Sequence, residues 1–316
     1  MNAADNNIND VPDACANCGR GEAEYRTLRT CAACKMVKYC NRECQIAHRP
    51  QHKGPCKRRA AELYEEQLFS QPPSEHGDCP ICMIRIPTIP SGYKYKSCCG
   101  KLICSGCIHA VKIRDNDELC PFCRTANHAS DEECIRRMNK RIEAGDAMAI
   151  HMVGMFYSEG MKGLPQDQTR ALELWHQSAE LGFHEAYRCI GIAYEDGNGV
   201  EMNKKMAKHY FELAAIGGNF LARGKLGLIE LETYKHGRAL RHWMIAVKGG
   251  DDGKSLTAIQ DYFAMGGEYM LSRLSGNATN DVSVARALRA RQEYLDEIKS
   301  VQRDEAAAAN DRYKYY

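Results

Sequence analysis

The sequence predicts a multidomain chain in which two small cysteine-rich units precede an all-α solenoid of helix-turn-helix repeats. Three observations carry this expectation. Fifteen of the 17 cysteines fall within the first 123 residues. Most of them stand in pairs two residues apart. From Gly145 onward the chain repeats itself at about 36 residues, within the range of helical solenoids.

Bulk properties narrow the function classes. A chain of 316 residues has room for two or three domains. Its formal charge is only +2, so no global field points to nucleic acid or to a membrane. Met1 to Asp13 is polar, without the apolar core of a signal peptide. No apolar run approaches spanning length, so no membrane partner is expected. Thiols kept reduced place the protein in the cytosol or the nucleus.

Residues 1–13 read as a disordered arm. The first cysteine-rich unit covers residues 14–57. Cys15, Cys18, Cys31, Cys34, Cys40, Cys44, His52 and Cys56 form a ladder spaced C-x2-C, C-x2-C-x5-C-x3-C, x7-H-x3-C. Thiolates suit a tetrahedral zinc ion, and two ligands two residues apart grip one ion from a tight turn. A disulfide framework is the alternative, and paired C-x2-C spacing speaks against it. The ladder resembles the MYND zinc finger at every step. That resemblance implies binding of short Pro-containing peptides. Between Cys15 and Arg59 stand eleven Lys or Arg against three Asp or Glu, a patch suited to an acidic partner. Stacking aromatics are sparse there, which favours protein over nucleic acid.

Residues 58–77 read as a linker with a short helix. Helix formers run from Arg58 to Phe69, and Gln71-Pro72-Pro73-Ser74 breaks them.

The second cysteine-rich unit spans residues 78–125. Its candidate ligands are Cys79, Cys82, Cys98, Cys99, Cys104, Cys107, Cys120 and Cys123. Three C-x2-C pairs flank an adjacent pair, an arrangement that resembles the all-cysteine RING domains. The commoner RING would place histidine at Lys101, and a protonated lysine has no lone pair to give. In the cross-brace of both families, alternate pairs share an ion. The resemblance therefore groups Cys15, Cys18, Cys40 and Cys44; Cys31, Cys34, His52 and Cys56; Cys79, Cys82, Cys104 and Cys107; and Cys98, Cys99, Cys120 and Cys123. Spacing alone also allows sequential pairing. All four sites look closed, so about four structural zinc ions are expected, without metal catalysis.

A RING ligase acts by positioning a charged ubiquitin-conjugating enzyme. Three residues match family contact positions: Ile81 between the first two ligands, Pro121 between the last two, and Arg124 directly after. The alternative gives Ile81 and Pro121 only a loop-shaping role. Ile108 is smaller than the tryptophan many active RINGs show nearby.

Residues 126–274 read as the repeat array. Ser130 with Glu133 forms a capping box, so a helix starts there. Gly154-Met155-Phe156-Tyr157 aligns with Gly191-Ile192-Ala193-Tyr194, and Gly182 with Gly218. A glycine that returns inside a helix implies close helix–helix approach, since it costs about 1 kcal/mol against alanine. Gly182 and Gly218 are placed to end helices with a left-handed cap. The pattern resembles Sel-1-like repeats. A degenerate third unit keeps Gly227 and Gly250 but has Glu230 where tyrosine stood, and a partial fourth begins near Ser255.

Residues 275–316 read as a capping helix and tail. Val284, Leu288, Arg291, Leu295, Ile298 and Val301 keep helical spacing on one long helix over the open end of the array. A coiled-coil dimer is the alternative to this monomer.

Trp175, Trp243, Cys134 and Cys189 read as core. His48 competes with His52 but misses the family spacing. His76, His109 and His128 are surface histidines by default. No phosphate-cradling loop and no SET methyltransferase sequence is present. The leading expectation is a zinc-binding adaptor acting as a RING-type ubiquitin ligase, with MYND finger and repeats recruiting substrate proteins. The competing one is a non-enzymatic scaffold or transcriptional co-regulator.

Overall fold

The computed structural model describes residues 13–21, 27–72, 76–115, 119–127, 130–251, 253–266 and 283–314. The chain forms two compact units, residues 1–70 and 71–316.

In the first unit, β1 (Arg29–Thr30) pairs antiparallel with β2 (Lys38–Tyr39), Arg29 opposite Tyr39. Helix α1 runs from Arg42 to Leu68, capped by Asn41, whose side chain accepts from the Cys44 amide at 2.8 Å. The expected helix over Arg58–Phe69 is therefore only its C-terminal half. The helix-disfavouring residues Pro50 and Pro55 lie inside α1. Each removes one backbone donor and disfavours helix by about 3 kcal/mol. Cys44, His52 and Cys56 all project from this helix, so metal ligation is the tertiary force available to offset that cost.

In the second unit, β3 (Tyr93–Lys96) and β4 (Lys101–Cys104) form an antiparallel hairpin, followed by α2 (Ser105–Asp115). Its small core joins Ile86, Ile103 and Ile108 to the sulfurs of Cys79, Cys104 and Cys107. Ile108 is thus an interior residue.

The helical series is α3 (Asp131–Glu143), α4 (Ala147–Glu159), α5 (Gln168–Glu180), α6 (His184–Asp196), α7 (Lys204–Ile216), α8 (Phe220–Glu232), α9 (His236–Gly249) and α10 (Lys254–Ala264). Ser130 caps α3 by accepting from the Glu133 amide, but Glu133 turns to Arg136 and Arg137 instead of closing the box. Helices α4 and α5, α6 and α7, and α8 and α9 pack as pairs. In each pair a glycine of the first helix faces an aromatic ring of the second. An added Cβ on Gly154 would stand 2.7 Å from Trp175, on Gly191 2.7 Å from Phe211, and on Gly227 2.1 Å from Trp243. Gly182 and Gly218 take positive φ of 87° and 97° just past α5 and α7, as left-handed caps require. In the third unit Glu230 is fully buried and paired with Lys208 at 2.8 Å and Arg238 at 3.1 Å. Trp175, Trp243, Cys134 and Cys189 are all buried.

The C-terminal segment departs from the expected single helix. It divides into α11 (Val284–Ile298) and α12 (Val301–Ala309), because Ser300 starts a new helix by capping the Arg303 amide. The buried face is Ala287, Ala290, Tyr294 and Ile298, whereas Leu288 and Val301 are exposed. Small residues allow the close approach that the larger stripe does not. Helix α11 covers α9 and α10, and α12 packs on α2 of the second cysteine-rich unit. The face made by Ala287, Ala290, Tyr294 and Ile298 is thus covered within the chain.

Both ends of the helical series therefore hold the second cysteine-rich unit. At one end Tyr95 donates to Asp146 at 2.7 Å, and Arg141 donates to the Cys98 carbonyl at 2.9 Å. At the other, the Thr88 amide donates to the Tyr294 hydroxyl at 3.2 Å, and Arg85 pairs with Glu297 at 2.8 Å. Arg303 is fully buried and donates to the carbonyls of Arg85 (2.9 Å), Ile298 (2.6 Å) and Ile84 (3.3 Å). Gly106 on α2 makes this possible, since a Cβ there would meet Arg303 at 2.8 Å. Among the described residues no helix is long and apolar enough to cross a membrane. The arm before Asp13, His128 and much of the partial fourth repeat lie outside the described residues.

Candidate metal centres

The structure brings the cysteine-rich ladders together in alternate pairs. Cys15, Cys18, Cys40 and Cys44 converge, as do Cys31, Cys34, His52 and Cys56. In the second unit Cys79, Cys82, Cys104 and Cys107 meet, and so do Cys98, Cys99, Cys120 and Cys123. Sequential pairing is excluded by this geometry.

Distances test whether the clusters fit zinc. Four sulfurs at about 2.3 Å from a tetrahedral ion stand about 3.8 Å apart. The observed separations are 3.7 Å for Cys18–Cys40, 3.8 Å for Cys31–Cys56, 3.9 Å for Cys79–Cys107, 3.8 Å for Cys82–Cys104 and 3.9 Å for Cys99–Cys120. His52 presents Nε2 to Cys34 Sγ at 3.4 Å. A disulfide needs sulfurs about 2.05 Å apart, and every cysteine described is free. The clusters fit structural zinc: each is closed by four donors and leaves no position for a reacting water.

One backbone device recurs. Gly19, Lys35, Met83 and Arg124 each follow the second cysteine of a C-x2-C pair, and each takes a positive φ between 56° and 71°. Each amide donates back to the carbonyl of the first cysteine, at 2.9, 2.9, 2.9 and 3.0 Å. The left-handed residue curls the loop so that both sulfurs face one point. Three of these four are not glycine, and a left-handed L-residue costs roughly 1–2 kcal/mol. Convergent ligands over-determine the turn.

The adjacent pair has a similar solution. Cys98 and Cys99 lie in the turn between β3 and β4, where the amides of Cys99 and Gly100 both donate to the Lys96 carbonyl. The tight turn, closed by Gly100 at φ 67°, lets neighbouring residues reach the same cluster. Lys101 starts β4 with its side chain exposed and takes no part.

Thiol electrostatics point the same way. Burial raises the Cys15 thiol, but backbone amides of Cys18, Cys40 and Asn17 outweigh it and hold it at about 6. Burial and the neighbouring sulfurs push Cys40 and Cys56 up to about 12. One thiolate per cluster thus makes the next harder to form, a repulsion that a divalent cation cancels.

The remaining histidines have other tasks. His48 Nδ1 hydrogen-bonds Tyr39 Oη at 3.1 Å and stacks on His52. His76 lies edge-on to Tyr93, and His109 edge-on to Tyr313. None supplies a ligand to the four clusters.

Two surfaces remain open. Along α1 a groove of about 560 Å³ is lined by Ile46 and rimmed by Arg42, Arg49, Lys53 and Lys57. In the second unit Ile81 is 42% exposed and Arg124 is exposed, with Pro121 half-buried between its zinc-loop neighbours. Sequence reasoning missed Met83 and Phe122, which are 70% and 44% exposed on the same two loops. Their placement directly beside the paired cysteines was the available signal.

Comparisons with known proteins recognise two parts of the chain. The MYND finger model matches residues 15–56, and the Sel1 repeat model matches residues 147–183 and 185–219. The ERAD-associated E3 ubiquitin-protein ligase component HRD3B of Arabidopsis thaliana is 29% identical over 117 residues, 37% of this chain and 18% of that protein. The chain thus spans less than a fifth of that relative's length. Among solved structures, a Sel1 repeat protein from Oxalobacter formigenes is 22% identical, with a TM-score of 0.41 over 57% of this chain and 65% of its own. A protective antigen of uropathogenic Escherichia coli with an SLR fold is 24% identical, with a TM-score of 0.43 over 58% of this chain and 38% of its own. The chain carries a MYND finger and Sel1 repeats, a zinc-binding architecture of the protein-interaction kind.

Proposed function

We propose that this protein is a RING-type ubiquitin-protein ligase whose MYND finger and Sel1 repeats recruit substrate proteins. In this reading the sixteen converging residues hold four structural zinc ions, and the second cysteine-rich unit is the RING. The observation that carries it is the pair of zinc loops that expose apolar side chains. Loops this small have no folding reason to display Ile81, Met83 and Phe122, and exposed apolar residues on a rigid support mark an interaction site.

The division of labour follows from side-chain chemistry. Ile81 supplies apolar contact to a ubiquitin-conjugating enzyme. Pro121 stiffens the second loop. Arg124 offers a planar fork of donors to the thioester-linked ubiquitin. None of them breaks a bond; the ligase holds the charged enzyme in a reactive pose. The basic-rimmed groove on α1 suits a short peptide with an apolar anchor and acidic flanks. Reduced thiols agree with action in the cytosol or nucleus.

Autoubiquitination with a panel of conjugating enzymes tests the proposal. Chain formation with at least one enzyme, lost in Ile81→Ala, supports the ligase. No transfer with any enzyme leaves the non-enzymatic scaffold, a reading favoured by Lys101 in place of the usual RING histidine.

A further inference from the structure

Away from the four cysteine-rich clusters, three metal-type donors of different chemistry meet inside the repeat array. His151 lies on α4, and Glu185 and Cys189 lie on α6 one turn apart, on the same face of that helix. One ring nitrogen of His151, one carboxylate oxygen of Glu185 and Cys189 Sγ all stand within 4.8 Å of one another.

The surroundings are those of a built site. His151 is 6% exposed and Cys189 4%. His151 Nδ1 is buried without a hydrogen-bond partner, a costly state for a ring nitrogen that a ligand would relieve. Burial lowers the His151 pKa to about 4, so the ring is neutral at pH 7, the form that can ligate. Glu185 Oε1 accepts from Arg188, and Oε2 accepts from Asn219. Each oxygen keeps a further lone pair, and carboxylates that ligate metals are commonly oriented by such outer hydrogen bonds. Cys189 Sγ also lies 4.0 Å from the Met155 sulfur.

We propose that His151, Glu185 and Cys189 form a further metal site that takes a zinc-class divalent ion. A thiolate, a neutral imidazole and one carboxylate form a borderline donor set, which selects zinc-like ions over magnesium or calcium. All three ligands sit in the first two repeats, so the ion joins one repeat to the next.

Native mass spectrometry of the full chain tests this, with zinc ions counted per chain. Wild type is expected to hold one ion more than Cys189→Ser and one more than His151→Gln. Helical circular dichroism, unchanged in at least Cys189→Ser, shows that the loss is local. The difference of one does not depend on how many ions the cysteine-rich clusters hold, so it stands or falls apart from the ligase reading. Equal zinc counts in wild type and both array variants overturn the site.

Discussion

Gly154 and Trp175 touch so closely that a Cβ on the glycine would stand 2.7 Å from the indole nitrogen. Gly191 with Phe211 and Gly227 with Trp243 repeat the relationship, at 2.7 and 2.1 Å. Alanine at these positions gains helix propensity of about 1 kcal/mol but overpacks a rigid ring, which costs about 1–3 kcal/mol. Gly227→Ala should therefore lower stability most, since its ring is nearest. Denaturant midpoints of the three variants check the order. Pairing Gly191→Ala with Phe211→Leu should recover part of the loss.

Arg303 ties the chain's C-terminal helices to the second cysteine-rich unit. Its three carbonyl partners belong to both sides of that contact. Arg303→Met keeps the stem and orphans the carbonyls, at about 1–3 kcal/mol for each that water cannot reach. The expected outcome is proteolytic cutting near Lys299, with faster zinc release, because Ile84 also accepts from the Cys79 amide. Cutting and zinc release at wild-type rates would show that the contact contributes little.

Metal removal should act differently on the two compact units. The first has little core besides its ligands and Tyr39, and should unfold outright under a chelator. In the second, helix should largely persist, yet the array should melt at a lower temperature. Its two ends lose the rigid unit they both grip. Circular dichroism melts with and without chelator measure this; an unchanged array melt would contradict the coupling.

The repeat glycines, the capping Ser130 and the set of metal ligands were legible as local spacings, whereas the alternate pairing of those ligands came from the family resemblance, since spacing alone also allowed sequential pairing. Helix α1 was not legible: Pro50 and Pro55 forbid it locally, and Cys44, His52 and Cys56 impose it from across the fold. The return of α12 onto α2 was hidden as well. Gly106 and Arg303 lie almost two hundred residues apart, and neither signals a partner. The left-handed turns at Lys35, Met83 and Arg124 escaped because sequence reasoning seeks glycine there.

Those turns lead to a backbone prediction. Lys35→Gly removes left-handed strain and should raise stability of the first unit by about 1 kcal/mol. Thermal melting of residues 1–70 in the full chain reads it. A lower melting point would show that the Lys35 side chain, rather than its backbone, matters.

Array stability should fall with acidity through His242. Burial, then the charges of Arg223, Arg238 and Lys208, lower its pKa to about 2 from 6.5. The unfolded chain therefore binds a proton below pH 6.5 that the folded chain refuses, and stability drops by about 1.4 kcal/mol per pH unit there. His242→Gln does not titrate, so its stability deficit against wild type should shrink from pH 7 towards pH 5. A deficit independent of pH would mean that His242 takes up a proton as readily in the folded chain as in the unfolded one.

The ligase reading is tested most directly by single-turnover discharge of ubiquitin from a charged conjugating enzyme. Wild type should accelerate discharge. Ile81→Ala should weaken enzyme binding by roughly 1–3 kcal/mol, and saturating protein should restore the rate. Arg124→Ala and Arg124→Gly should both bind normally and discharge slowly, which assigns the effect to the guanidinium and not to the left-handed turn. All three variants should keep their zinc, since none removes a ligand. No acceleration by wild type with any conjugating enzyme, in protein whose zinc sites are full, would contradict the account.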